Sequence, residues 1–187
     1  MASMSDLKKN LKILIDGDPY VVIEAQFVKP GKGTAFTKCR IKNLITGSVL
    51  ERTWRSNESV DLADTENRKM EYLYQEGEHF VFMDRETYEQ FHVEAEVLGD
   101  DTRWLIDNLV TDVLFFNGKP VGVELPTFVE MQIVHCEPGV RGDTATGASK
   151  PATLITGATV NVPLFVNEGE WLKIDTRTGE YVERVKK

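Results

Sequence analysis

Long hydrophobic runs are missing from this chain. Nowhere in its 187 residues do the roughly 18 consecutive apolar positions needed to cross a bilayer occur. The opening stretch MASMSDLKKN holds no apolar core of the kind a secretory signal requires. Together these absences predict a cytoplasmic protein with no membrane attachment. Cysteine is also scarce: Cys39 and Cys136 stand far apart, outside any C-x-x-C or Cys/His cluster, so reduced core thiols are expected rather than a disulfide or a zinc site. Histidine is limited to His79, His92 and His135, scattered along the chain, and the patterns H-E-x-x-H, G-x-S-x-G and G-x-G-x-x-G do not occur. No catalytic constellation is on offer, and neither a cofactor nor a metal is expected.

Hydrophobic residues make up 41% and charged residues 28% of the chain, the proportions of a soluble globular protein. The net charge of −8 argues against general coating of nucleic acid, yet the signs are segregated. Residues 1–69 carry 12 basic and 9 acidic side chains, residues 70–128 carry 3 and 13, and residues 129–187 carry 7 and 8. From Ala25 to Leu50 there is no acid, while Lys29, Lys32, Lys38, Arg40 and Lys42 all fall inside. A local basic surface that approaches RNA is therefore compatible with an acidic whole.

Period-two alternation dominates. Strands are expected at 12–15, 20–27, 35–42, 48–54, 70–74, 79–83, 113–117, 119–125, 127–134, 158–166, 171–175 and 181–185, punctuated by Asp-Gly, Asn-Gly and Thr-Gly turns. Only DRETYEQF (84–91) and DDTRWLIDNL (100–109) read as helix, the latter with Trp104, Leu105 and Leu109 on one face. The fold class is all-β. Cuts in the polar run 63–69 and near Phe128 give three segments of about 60 residues, the size of small β-barrels of SH3-like or OB type.

KPGKGTAF (29–36) lies between two strands that should pair as a hairpin. Pro30 cannot continue a ladder, and Gly31 and Gly33 free the backbone on either side of Lys32, which belongs at an exposed tip. The loop is not a phosphate-binding motif of the G-x-x-x-x-G-K-[ST] kind, since Gln26 stands where the first glycine would and Lys32 is followed by Gly33. An exposed lysine also lacks the desolvation that would make it a nucleophile or base, so any chemistry must be completed by a partner. The middle acids, among them Glu71, Glu76 and Glu78, lack calcium-loop spacing and read as a solvated face. The RGD at Arg141–Asp143, in a chain without a secretion signal, reads as an accidental match.

The stretches LIDGDPYVVIEAQFVKPGKGTAF (14–36), MEYLYQEGEHFVFMDRETYEQ (70–90), RGDTA (141–145), KPATLITGATVNVPLFVNEGE (150–170) and DTRTGEYVERV (175–185) resemble the bacterial elongation factor P family over essentially the whole chain. The resemblance implies an SH3-like domain of the KOW type at 1–65, an acidic OB-fold barrel at 66–128 and a second OB-fold barrel at 129–187. It implies a monomeric, non-enzymatic translation factor. Such a factor binds both subunits of the 70S ribosome beside peptidyl-tRNA in the P site and relieves stalling at consecutive prolines. Lys32 matches the family's tip lysine, the target of a lysine-modifying enzyme in many members and the residue that meets the tRNA acceptor end. Lys29, Pro30, Gly31, Gly33, Lys38 and Arg40 are then expected at tRNA or rRNA. Gly142, Asp143, Thr144, Tyr181 and Arg184 are expected at mRNA and the small subunit. A paralogue with another stalling preference and a generic OB-type RNA-binding module are the alternatives; Lys32 speaks against the first, and aromatics set among acids against the second.

Overall fold

A computed structural model of the chain describes residues 1–139 and 148–187. Among the described residues, strands form three sheets and the fold is all-β, as the alternation predicts. The first sheet contains β1 (Ala2–Ser3), β2 (Lys12–Ile15), β3 (Asp18–Val28), β4 (Phe36–Asn43), β5 (Val49–Arg55) and β6 (Ser59–Leu62), in the order β1-β6-β2-β3-β4-β5. The second contains β7 (Thr65–Glu76), β8 (His79–Asp84), β9 (Gln90–Glu94), β10 (Val110–Phe116) and β11 (Lys119–Glu124), in the order β11-β10-β7-β8-β9. The third contains β12 (Phe128–Cys136), β13 (Ser149–Leu154), β14 (Thr159–Pro163), β15 (Trp171–Asp175) and β16 (Glu180–Val185), in the order β14-β13-β12-β15-β16. The chain packs as two units, Met1–Arg68 with Val113–Gly122 and Lys69–Asp112 with Val123–Lys187. The polar run at 63–69 is strand from Thr65 onward.

Within the first unit, Asp16 (φ 52°) and Gly17 (φ 86°) both sit in the left-handed region, the requirement of the tight turn that joins β2 to β3 with Ile15 opposite Asp18. Alternation along β4 buries Thr37, Cys39, Ile41 and Asn43 and leaves Lys38, Arg40 and Lys42 outside. Ile13, Val22, Cys39, Ile41 and Trp54 form the core beneath. Both cysteines are free and buried, and desolvation pushes the Cys39 thiol up.

Neither expected helix forms as read. Over 84–91 the chain ends β8 at Asp84, turns, and enters β9 at Gln90. The Asp84 carboxylate accepts the backbone N–H groups of Glu86 (2.8 Å) and Thr87 (3.2 Å), while Tyr88 takes φ 62°. A side chain that satisfies these donors locally favours a turn over a helix. Over 100–109 there is only a 3-10 turn, Gly99–Trp104, preceded by a one-turn helix α1 (Ala95–Leu98). Beyond it Asn108 N–H donates to Tyr72 O (2.8 Å) and Tyr72 N–H to Leu109 O (2.9 Å), a sheet pairing that a continued helix would forbid.

Trp104 leaves that turn and is fully buried in the core of the third sheet, with Val129, Met131, Ile133, Leu154, Leu172 and Ile174. The Arg103 guanidinium stands 4.5 Å over its ring, and the Thr156 hydroxyl donates to Arg103 O at 2.6 Å. A Cβ at Gly179 would lie 3.3 Å from the indole, and Gly179 has φ 75°. The indole N–H has no partner among the described residues. Trp104→Ala should therefore cost about 3–5 kcal/mol, the range for deleting a large buried aromatic. Trp104→Phe should cost much less, because it keeps most of the ring and removes an unsatisfied donor. Denaturant unfolding followed by circular dichroism checks both values.

Candidate functional site

The ladder between β3 and β4 runs in register to Val28 opposite Phe36, so residues 29–35 are the connection of a long hairpin. β4 in turn pairs with β5 as far as Phe36 opposite Arg55, which braces the base of that connection from the other side. Lys29, Gly31, Lys32 and Gly33 are exposed and Pro30 is half-buried. Neither Lys29 nor Lys32 forms a hydrogen bond or ion pair with the described residues. The two glycines differ. Gly33 holds φ 111°, which L side chains rarely adopt, whereas Gly31 does not occupy the left-handed region and has open space where a Cβ would stand.

Lys38 and Arg40 share the outer face of the hairpin with Lys42, but not as free charges. Glu24 on β3 and Glu51 on β5 lie directly opposite Arg40. Arg40 approaches Glu24 at 3.7 Å, and Lys38 pairs with Glu51 at 3.0 Å. The run from Ala25 to Leu50 is free of acid in sequence, yet antiparallel pairing supplies the acid that bounds it on each side. Lys29, Lys32 and Lys42 are left as the cations of this run without an ion pair among the described residues. These exposed pairs are worth about 0–1 kcal/mol each, so a stronger polyanion can displace the carboxylates.

At the other end of the chain, Arg184 and Tyr181 lie on β16. Arg184 sits 4.8 Å over the exposed Phe165 ring and pairs with Glu170 at 3.0 Å. Phe165 and Glu170 escaped the sequence reading because nothing in their spacing points to Arg184. Tyr181 is half-buried against the third sheet's core, opposite Ile174. Gly142, Asp143 and Thr144, with the RGD match, lie outside the described residues. Lys150, in the third sheet, is buried and donates to Glu137 O at 2.7 Å, and a Cβ on Gly139 would come within 2.7 Å of Leu164 O. His79 and His92 stack at 5.9 Å, and His135 stands between Glu137 (3.6 Å) and Glu168 (3.5 Å), all three exposed. Among the described residues no cluster of three or more His, Cys, Asp or Glu is arranged to hold a metal, and no helix is long and apolar enough to cross a membrane.

Three family models match in order along the chain: the elongation factor P KOW-like domain at residues 3–60, the elongation factor P OB domain at 65–123, and the elongation factor P C-terminal region at 129–184. That order defines a translation factor by class. Elongation factor P of Desulfatibacillum aliphaticivorans is 51% identical over 187 residues, covering 100% of both chains. Elongation factor P of Desulfitobacterium hafniense is 54% identical over 184 residues, covering 98% of this chain and 100% of that one. The fold also matches the structure of eukaryotic translation initiation factor 5A from Methanococcus jannaschii, with a TM-score of 0.51 at 22% identity, over 65% of this chain and 94% of that one. The chain belongs to the elongation factor P family.

Two outcomes follow from this geometry. Gly33→Ala should lower stability by about 1 kcal/mol because it forces a Cβ into a left-handed conformation, while Gly31→Ala should be nearly neutral; thermal unfolding of the two proteins side by side separates them. The second concerns pH. The Asn167 backbone N–H (2.7 Å) and then Arg184 hold the Glu170 carboxyl below the usual carboxylate range. Its unfolded form takes up a proton first as pH falls, so the stabilisation is present above about pH 4.3 and is lost as pH drops through the folded value. The acid limb of a melting-temperature profile should be shallower in Glu170→Gln than in the parent.

Proposed function

We propose that this protein binds the 70S ribosome beside peptidyl-tRNA in the P site and promotes peptide-bond formation at consecutive prolines. In this reading Lys32 holds the tRNA acceptor end in place. The observation that carries it is the Lys32 ammonium, exposed on a braced hairpin and unengaged by any of the described residues. Proline's ring constrains the reacting amine, and fixing the acceptor end recovers the activation entropy that misplacement costs. The protein contributes position and charge and no reacting group, so it is not an enzyme.

Lys29 and Lys32 meet phosphate directly. Lys38 and Arg40 exchange Glu51 and Glu24 for phosphate oxygens on contact, and Pro30, Gly31 and Gly33 shape a tip without bulky side chains that can approach ribose and base. A lysine-modifying enzyme lengthens Lys32, which its lack of partners among the described residues permits. Gly142, Asp143 and Thr144 approach mRNA, and Tyr181 and Arg184 the small subunit. The working division is 1–65, 66–128 and 129–187, and the site of action is the cytoplasm.

Lys32→Ala should abolish rescue of synthesis through a proline triplet, measured with purified ribosomes, and leave thermal unfolding unchanged within about 0.5 kcal/mol, as expected for an exposed tip. Full rescue by this variant rejects the role of Lys32. Equal binding of naked RNA and ribosomes at physiological salt would instead favour the generic RNA-binding module.

A further inference from the structure

Within the second unit, a cleft of about 490 Å³ opens between the turn that carries Trp104 and the strands of the third sheet. Tyr72, Phe80, Met131 and Trp171 line it, with Asp107 and Glu130 among them, and no Lys or Arg among the described residues belongs to the lining. Burial pushes the Tyr72 phenol up, and the Asp107 charge adds to the effect. Lys173, the cross-strand partner of Glu130, turns its ammonium to Glu183 (3.3 Å) and to the Phe128 ring (4.8 Å).

One cation already uses this chemistry. The Lys187 ammonium stands 5.0 Å over the Trp171 ring and 2.7 Å from the Glu130 carboxylate. An alkylammonium thus finds an aromatic face and a carboxylate together, the pair of features that recognises such groups. The second carboxylate, Asp107, comes from a different segment, with apolar and aromatic side chains lining the same cleft.

We propose that this cleft binds a linear aliphatic polyamine. Its methylene chain lies against Ile106 and the exposed Ile155, above a floor of buried Tyr72, Phe80 and Met131, and its ammonium ends pair with Asp107 and with Glu130 over Trp171. Lys187 is a tethered competitor for the Glu130 end. The volume is within the range of small-ligand sites, and the lining combines two carboxylates from separate segments with apolar side chains, the chemistry of a chain that carries more than one ammonium. This site is independent of Lys32 and of the reading above.

Calorimetric titration of the full chain with spermidine at 0.15 M salt tests the proposal, with magnesium at matched charge concentration as a control for the ion atmosphere of an acidic protein. Saturable one-to-one binding that magnesium does not reproduce is expected. Lys187→Ala should tighten it about threefold, the worth of one partly exposed ion pair. Glu130→Gln and Asp107→Asn should each weaken it about tenfold, and far-ultraviolet circular dichroism verifies that the variants remain folded. A linear, non-saturating response, equal competition by magnesium, or unchanged affinity in both carboxamide variants overturns the proposal. So does binding of a lysine-containing peptide in the absence of spermidine binding, which would assign the cleft to a partner protein's side chain.

Discussion

The backbone ladder that joins β3, β4 and β5 is the constraint on which the candidate site rests. Its register fixes which side chains of β4 enter the core and which face outward, because a slip of one residue would exchange Cys39 and Ile41 for Lys38 and Arg40. Burying a charged row beneath Trp54 costs far more than any alternative pairing returns, so the register is strongly specified. The position of Lys32 follows: it can stand at the tip only because the ladder on either side is unambiguous. Rigidity at the base and freedom at the tip are therefore two outcomes of one pattern of alternation.

Much of the fold was legible in the sequence for that same physical reason. Period-two runs such as 36–43 and 171–175 announce strands, and Asp16-Gly17 announces the turn between β2 and β3. Local propensity misleads where it competes with distant partners. DRETYEQF has helix-forming residues, but Asp84 folds its own backbone into a turn, and the residues from Gln90 pair with β8. β13 is hidden in the sequence because Ser149–Leu154 buries a lysine at its second position and carries a proline at its third, features that mask its alternation.

The site was legible to the same degree. An exposed lysine between glycines is evident from residues 29–36, but counting glycines does not reveal that Gly33 alone holds a left-handed conformation. The acid-free run from Ala25 to Leu50 is a property of the linear chain. Glu24 and Glu51 reach Arg40 and Lys38 only through strand pairing, which no local pattern encodes. Arg184 likewise acquires Phe165 and Glu170 from elsewhere in its sheet.

Trp104 lies before the C-terminal segment in sequence but completes that segment's core, wedged between Arg103 and Gly179. Inheritance of the last sixty residues is therefore tied to a short stretch well upstream of them. Recombination near position 128 between distant relatives would join an indole to a socket shaped for another side chain, and both parents' halves would be worse for it. The boundary between the second and third segments is, for recombination of this gene, the wrong place to cut.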